Sequence, residues 1–222
     1  VTKARKNGVR CACGTYFSFI DSDDWIQPEM FERMVEKGEE ANTDMVVCDI
    51  CLEYEAKTEL LPSLAEEGFY SKDELRNQIY PTMLMDIKAR RPGILGSSCN
   101  KIFRRKVLEK VFWQVDDSFV YAEDALFCYG ALLESDSFFV LRSPFYHYRQ
   151  HSQSAMHQYN GEKYYENALR SYYGFREFLQ NRGFDISRQL SAYIWINAVN
   201  VVRKVLLFDE KTALWRLLRY KS

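Results

Sequence analysis

The chain has 222 residues, is 47% hydrophobic and 27% charged, and carries a formal net charge of −1. That length buries a core as one domain, or as one domain with a smaller lobe, and the composition is that of an ordinary globular protein. The near-zero balance excludes a globally basic nucleic-acid binder, and no stretch reads as a signal peptide or reaches membrane-spanning length.

Residues 1–13 are basic and polar, with Lys3, Arg5, Lys6 and Arg10. The apolar run TYFSFI at 15–20 predicts a buried strand that ends at Asp21, Asp23 and Asp24. Pro28 suits the first turn of a helix whose apolar face holds Phe31, Met34 and Val35. DMVVCDICLEY predicts a second strand, and its MVVC centre is apolar on both faces, as a sheet covered by helices on each side requires. Strand, helix and strand in this order predict an α/β unit with a parallel sheet.

Residues 55–70 read as a loop or hairpin, SKDELRNQIYPTMLMDI as helix, and RRPGILGSS as a breaker-rich connector. CNKIFRRKVLEKV predicts a short strand or turn followed by helix, and AEDALFCYGALLE an amphipathic helix. SFFVLRSPFYHYRQH predicts a strand or hairpin broken by Pro144. After His157 everything reads as helix, with one stripe at Tyr165, Ala168, Leu169 and Tyr172 and another at Ile194, Ala198, Val201, Val202 and Val205.

Six cysteines, at 11, 13, 48, 51, 99 and 128, do not form a secreted disulfide pattern, so a reducing, cytoplasmic compartment is expected. Cys48 and Cys51 have zinc-like spacing, but residues three apart on a strand face opposite ways, which places them poorly for a shared ion. Aromatic residues make up 15% of the chain. They suit either a tyrosine-rich core or the lining of a sugar or base site.

Three clusters could carry chemistry. On an extended strand Asp21 and Asp23 project together while Asp24 turns aside. Two carboxylates held that close favour a hard cation such as Mg²⁺ or Mn²⁺, shared with substrate phosphates. A solvated turn, or Asp24 capping the next helix, is the alternative. Glu123 and Asp124 open a helix, where the dipole alone accounts for carboxylates. A general base there needs burial or a neighbouring carboxylate to bring its pKa towards neutrality. In FYHYRQH, His147 and Arg149 share one strand face, fitting a phosphate site or a plain polar surface.

Taken in order, these pieces resemble the family-2 nucleotide-sugar glycosyltransferases with the GT-A fold. The pattern is carried by ARKNGVRCACGTYFSFIDSDDWIQP, in which Ala4, Arg5, Gly8, Ala12, Gly14, Tyr16, Phe19, Asp21, Ser22, Asp23, Asp24 and Trp25 match. TDMVVCDICLEY, CNKIFRR, AEDALF and FYHYRQHSQSAM follow in the family's order, and the match runs from residue 4 to about 156. The family pattern places Asn where this chain has Lys6, which is electrostatically reasonable beside a diphosphate.

The resemblance implies an incomplete GT-A (Rossmann-like) mixed sheet with flanking helices over 1–156, followed by a helical region over 157–222. It implies inverting transfer of a sugar from a nucleotide-diphosphate donor to a carbohydrate or glycolipid acceptor, in cell-surface polysaccharide or glycoconjugate synthesis. Asp21 and Asp23 would hold Mn²⁺ or Mg²⁺; Asp124 would be the base with Glu123 beside it. Arg5, Lys6, Asp21, His147 and Arg149 would face the diphosphate, and Trp25, Asn100 and Lys101 the acceptor. The opening strands and the base-reading residue of the family are expected before Val1, about 80 residues by the size of a βαβ unit. The chain alone is therefore expected to be inactive and to self-associate. Six basic residues between Arg203 and Ser222, interleaved with Trp215, Leu217 and Leu218, suit contact with an anionic membrane surface or packing on the domain. A non-catalytic helical module and a metal-dependent phosphohydrolase are the rival classes, but the latter needs a nucleophile or two-metal carboxylate set that the sequence does not offer.

Overall fold

The computed structural model describes residues 2–117, 123–150, 173–180 and 182–208. Helix α1 (Thr2–Cys11), strands β1 (Tyr16–Phe17) and β2 (Trp25–Ile26), helix α2 (Met30–Glu40) and strand β3 (Met45–Glu53) come first. Strands β4 (Thr58–Leu61) and β5 (Gly68–Ser71) and the helical turn α3 (Lys72–Glu74) follow, then β6 (Lys101–Arg104) and α4 (Arg105–Phe112). Helix α5 (Glu123–Glu134) leads into β7 (Ser137–Arg149), α6 is described over 173–179, and α7 spans Ser187–Phe208.

The strands form a mixed sheet in the order β1-β6-β3-β7-β2, with β4 also paired to β3 and β5 to β7. β1 and β3, expected to pair in parallel, are separated by β6, which runs antiparallel to both, and the parallel pair found is β3 with β7. The strand–helix–strand unit therefore has a strand inserted into it. β1 is two residues long, and β3 takes β6 along Met45 to Val47 instead. Residues 55–70 contribute two strands that do not pair with each other, because β4 lines β3 and β5 lines β7.

β3 behaves as its composition requires. Met45, Val46, Val47 and Cys48 are at most 1% exposed. Val46, Cys48 and Ile50 pack with Met30 and Met34 of α2. Met45 and Val47, which alternate to the other face, pack with α4 and α5. In α2 the buried stripe is Met30, Met34 and Gly38, whereas Phe31 and Val35 are each 37% exposed. Of the expected face only Met34 turns inward, because close approach selects Gly38: a Cβ there would meet the Tyr16 hydroxyl at 2.9 Å.

Helix α5 is not amphipathic. Every residue from Ala125 to Leu133 is buried, because Phe175, Leu179, Ile186 and Leu190 cover the side turned away from the sheet. SKDELRNQIYPTMLMDI forms one short turn capped by Ser71 and Glu74, continues as a π turn over Leu75–Ile79, and ends before Pro81. β7 is continuous, and Pro144 sits at register shifts opposite Cys48 to Ile50, where a missing amide costs no regular ladder bond. The helical reading after His157 holds for 173–179 and α7, with a break at 182–186 where Gly183 has φ +79°. The 165–172 stripe, the 156/157 boundary and the basic end at 209–222 lie outside the described residues. No described helix is long and apolar enough to cross a membrane.

Phe127 anchors the core between sheet and α4, with its ring centroid 5.0 Å from that of Phe112, 5.4 Å from Phe19 and 6.1 Å from Phe103. Phe127→Ala is expected to cost about 3–5 kcal/mol, read as a lower denaturant midpoint at unchanged slope. A loss below about 1 kcal/mol would contradict this packing.

Candidate active site

Residues 18–24 carry the chain from β1 at one side of the sheet to β2 at the other. Strand geometry has already ended at Phe17, and residues 21–24 form a turn closed by the Asp24 amide on the Asp21 carbonyl at 3.2 Å. The expected two-residue alternation therefore does not operate here, and each carboxylate is placed by its own partners. Asp21 Oδ1 accepts from Arg5 at 3.3 Å, and its side chain stays 45% exposed. Asp23 is exposed on the turn. Asp24 Oδ2 accepts from the Tyr146 hydroxyl at 2.6 Å and Oδ1 from the Arg149 amide at 2.9 Å. Asp24 thus ties the turn to β7 and does not cap α2, whose start shows no side-chain cap.

The second acidic motif sits against the first. Arg5 projects from α1, with Nη2 on Asp21 and Nη1 on Glu123 Oε1 at 3.0 Å. Its guanidinium also lies 5.9 Å from the Phe19 ring centroid. The side chains of Arg5 and Glu123 are each 13% exposed, so this pair is well screened from water. Asp124 follows at the start of α5, and its Oδ1 accepts from the Ala125 amide at 2.8 Å.

Burial raises the Asp124 carboxyl above the usual range against Arg5, the Ala125 amide and Lys101, while Asp21 adds to the rise. Burial, then the neighbouring Asp124 charge, raises Glu123. Burial also raises Asp24, although Tyr146 and the Arg149 amide oppose it. These carboxyls are therefore poised nearer neutrality than free ones, which is what a base at a helix start needs.

The structure gives the CNKIFRR motif interior partners. Lys101 has no exposed surface, and its Nζ donates to the carbonyls of Leu95 at 2.7 Å and Ser97 at 2.6 Å and to Asn100 Oδ1 at 2.8 Å. Asn100 Nδ2 in turn donates to the Cys48 carbonyl at 2.5 Å. The loop so pinned touches the start of α5: a Cβ at Gly96 would lie 2.7 Å from the Ala125 Cβ. Asn100 and Lys101 thus reach the acidic site through this loop. Arg104 binds the Tyr16 hydroxyl at 2.7 Å, and Arg105 binds the carbonyls of Ala12 and Gly14 at 2.8 Å, fixing the link from α1 to β1.

The other expected site residues divide in two. Lys6 donates to the Val115 carbonyl at 2.7 Å and pairs with Asp117 at 2.6 Å. Trp25, 41% exposed, stacks on His147 at 5.2 Å between centroids, and the Arg149 guanidinium lies 5.3 Å from the Trp25 ring centroid. The sequence reading missed Tyr146 and Glu53. Strand alternation does separate Tyr146 from His147, but the long-range pairings to Asp24 and from His147 to Glu53 depend on sheet order and left no local signal.

A family model described as Glycosyl transferase family 2 matches residues 1–112. The chain is 29% identical over 199 residues to the putative glycosyltransferase EpsH of Bacillus subtilis (strain 168), covering 87% of this chain and 55% of that protein. It is 23% identical over 149 residues to the minor teichoic acid biosynthesis protein GgaB of the same organism, covering 67% of this chain and 15% of that one. Crystal structures of S. aureus TarS 1–349 share the fold: one has a TM-score of 0.64 at 17% identity, covering 95% of this chain and 55% of its own. A complex of TarS 1–349 with UDP-GlcNAc gives 0.60 at 18% identity, covering 93% and 53%. The chain thus spans about half the length of EpsH and of TarS 1–349. The mixed sheet with flanking helices is accordingly of GT-A type.

The raised carboxyls have a consequence for stability. A carboxyl whose pKa rises on folding binds its proton more tightly in the native state, so stability falls as pH climbs from the ordinary carboxylate range through the raised value. Asp124→Asn keeps an acceptor for the Ala125 amide and removes that penalty. At pH 7 the variant is expected to melt higher than the parent, by about 2–4 °C for each kcal/mol released, with the gain shrinking near about pH 4. A lower melting point at pH 7 would show the Asp124 charge to be net stabilising.

Proposed function

Because the chain belongs to glycosyl transferase family 2, we propose that its protein moves a sugar from a nucleotide-diphosphate donor to an acceptor hydroxyl, inverting the anomeric carbon. The observation that carries this reading is the Arg5 guanidinium joining Asp21 to Glu123, which sets both acidic motifs around one exposed turn. The UDP-GlcNAc complex of the TarS neighbour supports a uridine-diphosphate sugar as donor. The names of the relatives EpsH and GgaB support a role in cell-surface polysaccharide or teichoic-acid-like synthesis.

Asp21 and Asp23 offer hard oxygen donors on an accessible turn, a set that fits Mn²⁺ or Mg²⁺ bridging to phosphate. Such a cation offsets charge developing on the departing nucleotide when it is bound. Arg5 lies beside Asp21 and supplies positive charge to the same diphosphate, with His147 and Arg149 on the sheet face beyond. Asp124 removes the acceptor proton as its oxygen attacks, and Glu123 holds the local charge with Arg5. Trp25 offers an aromatic platform to the acceptor, while Asn100 and Lys101 act through the loop they pin. The chain spans about half the length of EpsH and of TarS 1–349, so by itself it is expected to transfer no appreciable sugar.

Calorimetric titration with Mn²⁺ and UDP tests the metal site. The Asp21→Asn/Asp23→Asn protein is expected to bind the Mn²⁺–UDP pair at least about tenfold more weakly than the parent. Equal affinity would remove Asp21 and Asp23 from the role given them. In a donor panel, robust turnover by the chain would refute its inactivity and uphold the transferase assignment.

A further inference from the structure

A second constellation lies on the sheet beside the aspartate turn, where β3 and β7 run parallel past their register shifts. Cys51 is the register partner of His147, and Glu53 lies two residues further along β3, on the same face as Cys51. Cys51 Sγ, a Glu53 carboxylate oxygen and a ring nitrogen of His147 all lie within 4.8 Å of one another. Their remaining polar atoms are already engaged. His147 Nδ1 is 2.7 Å from Glu53 Oε1, and Nε2 is 2.8 Å from the Gln27 side-chain amide. Glu53 Oε2 accepts from the Thr58 hydroxyl at 2.5 Å. The Trp25 ring, stacked at an interplanar angle of 8°, fixes the plane of the imidazole.

We propose that Cys51, Glu53 and His147 form a binding site for a zinc-class divalent cation, with none of its ligands drawn from the aspartate turn. One thiolate, one imidazole and one carboxylate are the donors that Zn²⁺ and Co²⁺ take in tetrahedral sites, with a fourth position left for water. Magnesium and manganese, which prefer all-oxygen sets, do not suit a thiolate. Ligands on a tetrahedral zinc stand about 3.3–3.7 Å apart. The His147–Glu53 contact would therefore open modestly, and Cys51 would close in from within 4.8 Å.

Thr58 donates to the free carboxylate oxygen of Glu53, while the Gln27 amide, which donates to His147 Nε2 as placed, would turn its oxygen to accept from the Nε2–H once Nδ1 held the ion. The three ligands are largely enclosed. Cys51 is 8% exposed, and the side chains of His147 and Glu53 are 12% and 16% exposed. The ion would cross-tie β3 to β7, with Trp25 of β2 stacked on its imidazole ligand. It shares His147 with the proposed donor site, but its ligand chemistry does not need the transferase reading.

Cobalt titration tests it directly. Cys11 and Cys13 are the exposed thiols, so both are first changed to Ser; the other four, Cys51 among them, are buried. The Cys11→Ser/Cys13→Ser protein is expected to bind one equivalent of Co²⁺ and to show a thiolate-to-cobalt charge-transfer band. Adding Cys51→Ser should abolish that band, and His147→Ala should weaken binding at least about tenfold. Adding Asp21→Asn and Asp23→Asn should leave it unchanged. Absence of the band in the parent, or its survival in Cys51→Ser, would overturn the proposal. Should Cys51→Ser fail to fold, X-ray absorption on the zinc-loaded parent decides: one sulfur with nitrogen and oxygen neighbours supports the site, and a sulfur-free shell ends it.

Discussion

Like charges do not gather without a reason, and the arrangement depends on one cation that lets them do so. Arg5 stands between Asp21 and Glu123, with Asp124 next in sequence. In the partly buried space where Arg5 and Glu123 meet, unpaired carboxylates would bear a desolvation cost of several kcal/mol each. The guanidinium fork suits this position because it can engage two acids at once. Helix α1 therefore acts as more than a cover for the sheet. Through Arg5 it sets the distance between two motifs about a hundred residues apart in the chain.

Lys101 performs the complementary task from below. A fully enclosed ammonium is tolerable only with its donors filled, and two backbone carbonyls and Asn100 fill them. The resulting clamp holds the loop around Gly96 against the first turn of α5. The same Lys101 lowers the Asp124 pKa in opposition to burial. Burial wins, so the Asp124 carboxyl takes a proton more readily than a free one.

Much of this was legible in the chain. β3 announces itself because MVVC is apolar on both faces, and α4 because its apolar residues recur at helical spacing. The acidic residues are conspicuous because carboxylates beside aromatic runs have few structural uses. What failed to show followed from tertiary packing. Phe31 and Val35 look as apolar as Met30 and Met34, and only the approach of Tyr16 to Gly38 decides which stripe turns inward. The polar ends of α5 suggest an amphipathic helix, yet residues far along the chain enclose it. Lys101 reads as a surface or site residue because lysine seldom lies fully buried, and its three acceptors come from a loop with no regular pattern. The turn at 21–24 was hidden because TYFSFI continues its apolar character after β1 has ended.

The same sheet offers two kinds of ligand set, and the difference follows from where each lies. At the crossing from β1 to β2 the backbone leaves strand geometry, so carboxylates such as Asp21 and Asp23 sit on a pliant turn open to water. Hard cations that keep part of their hydration shell suit such a place, because they share coordination with a phosphate ligand. Along β3 and β7 the backbone is fixed by its ladder, and Cys51 and His147 are held in register by hydrogen bonds between neighbouring strands. A site of that kind has less freedom to adjust, and it selects by donor chemistry and spacing instead. Trp25 links the two regions, since it follows the aspartate turn directly and stacks on His147. Any cation that drew His147 towards Cys51 would move the surface on which that indole rests.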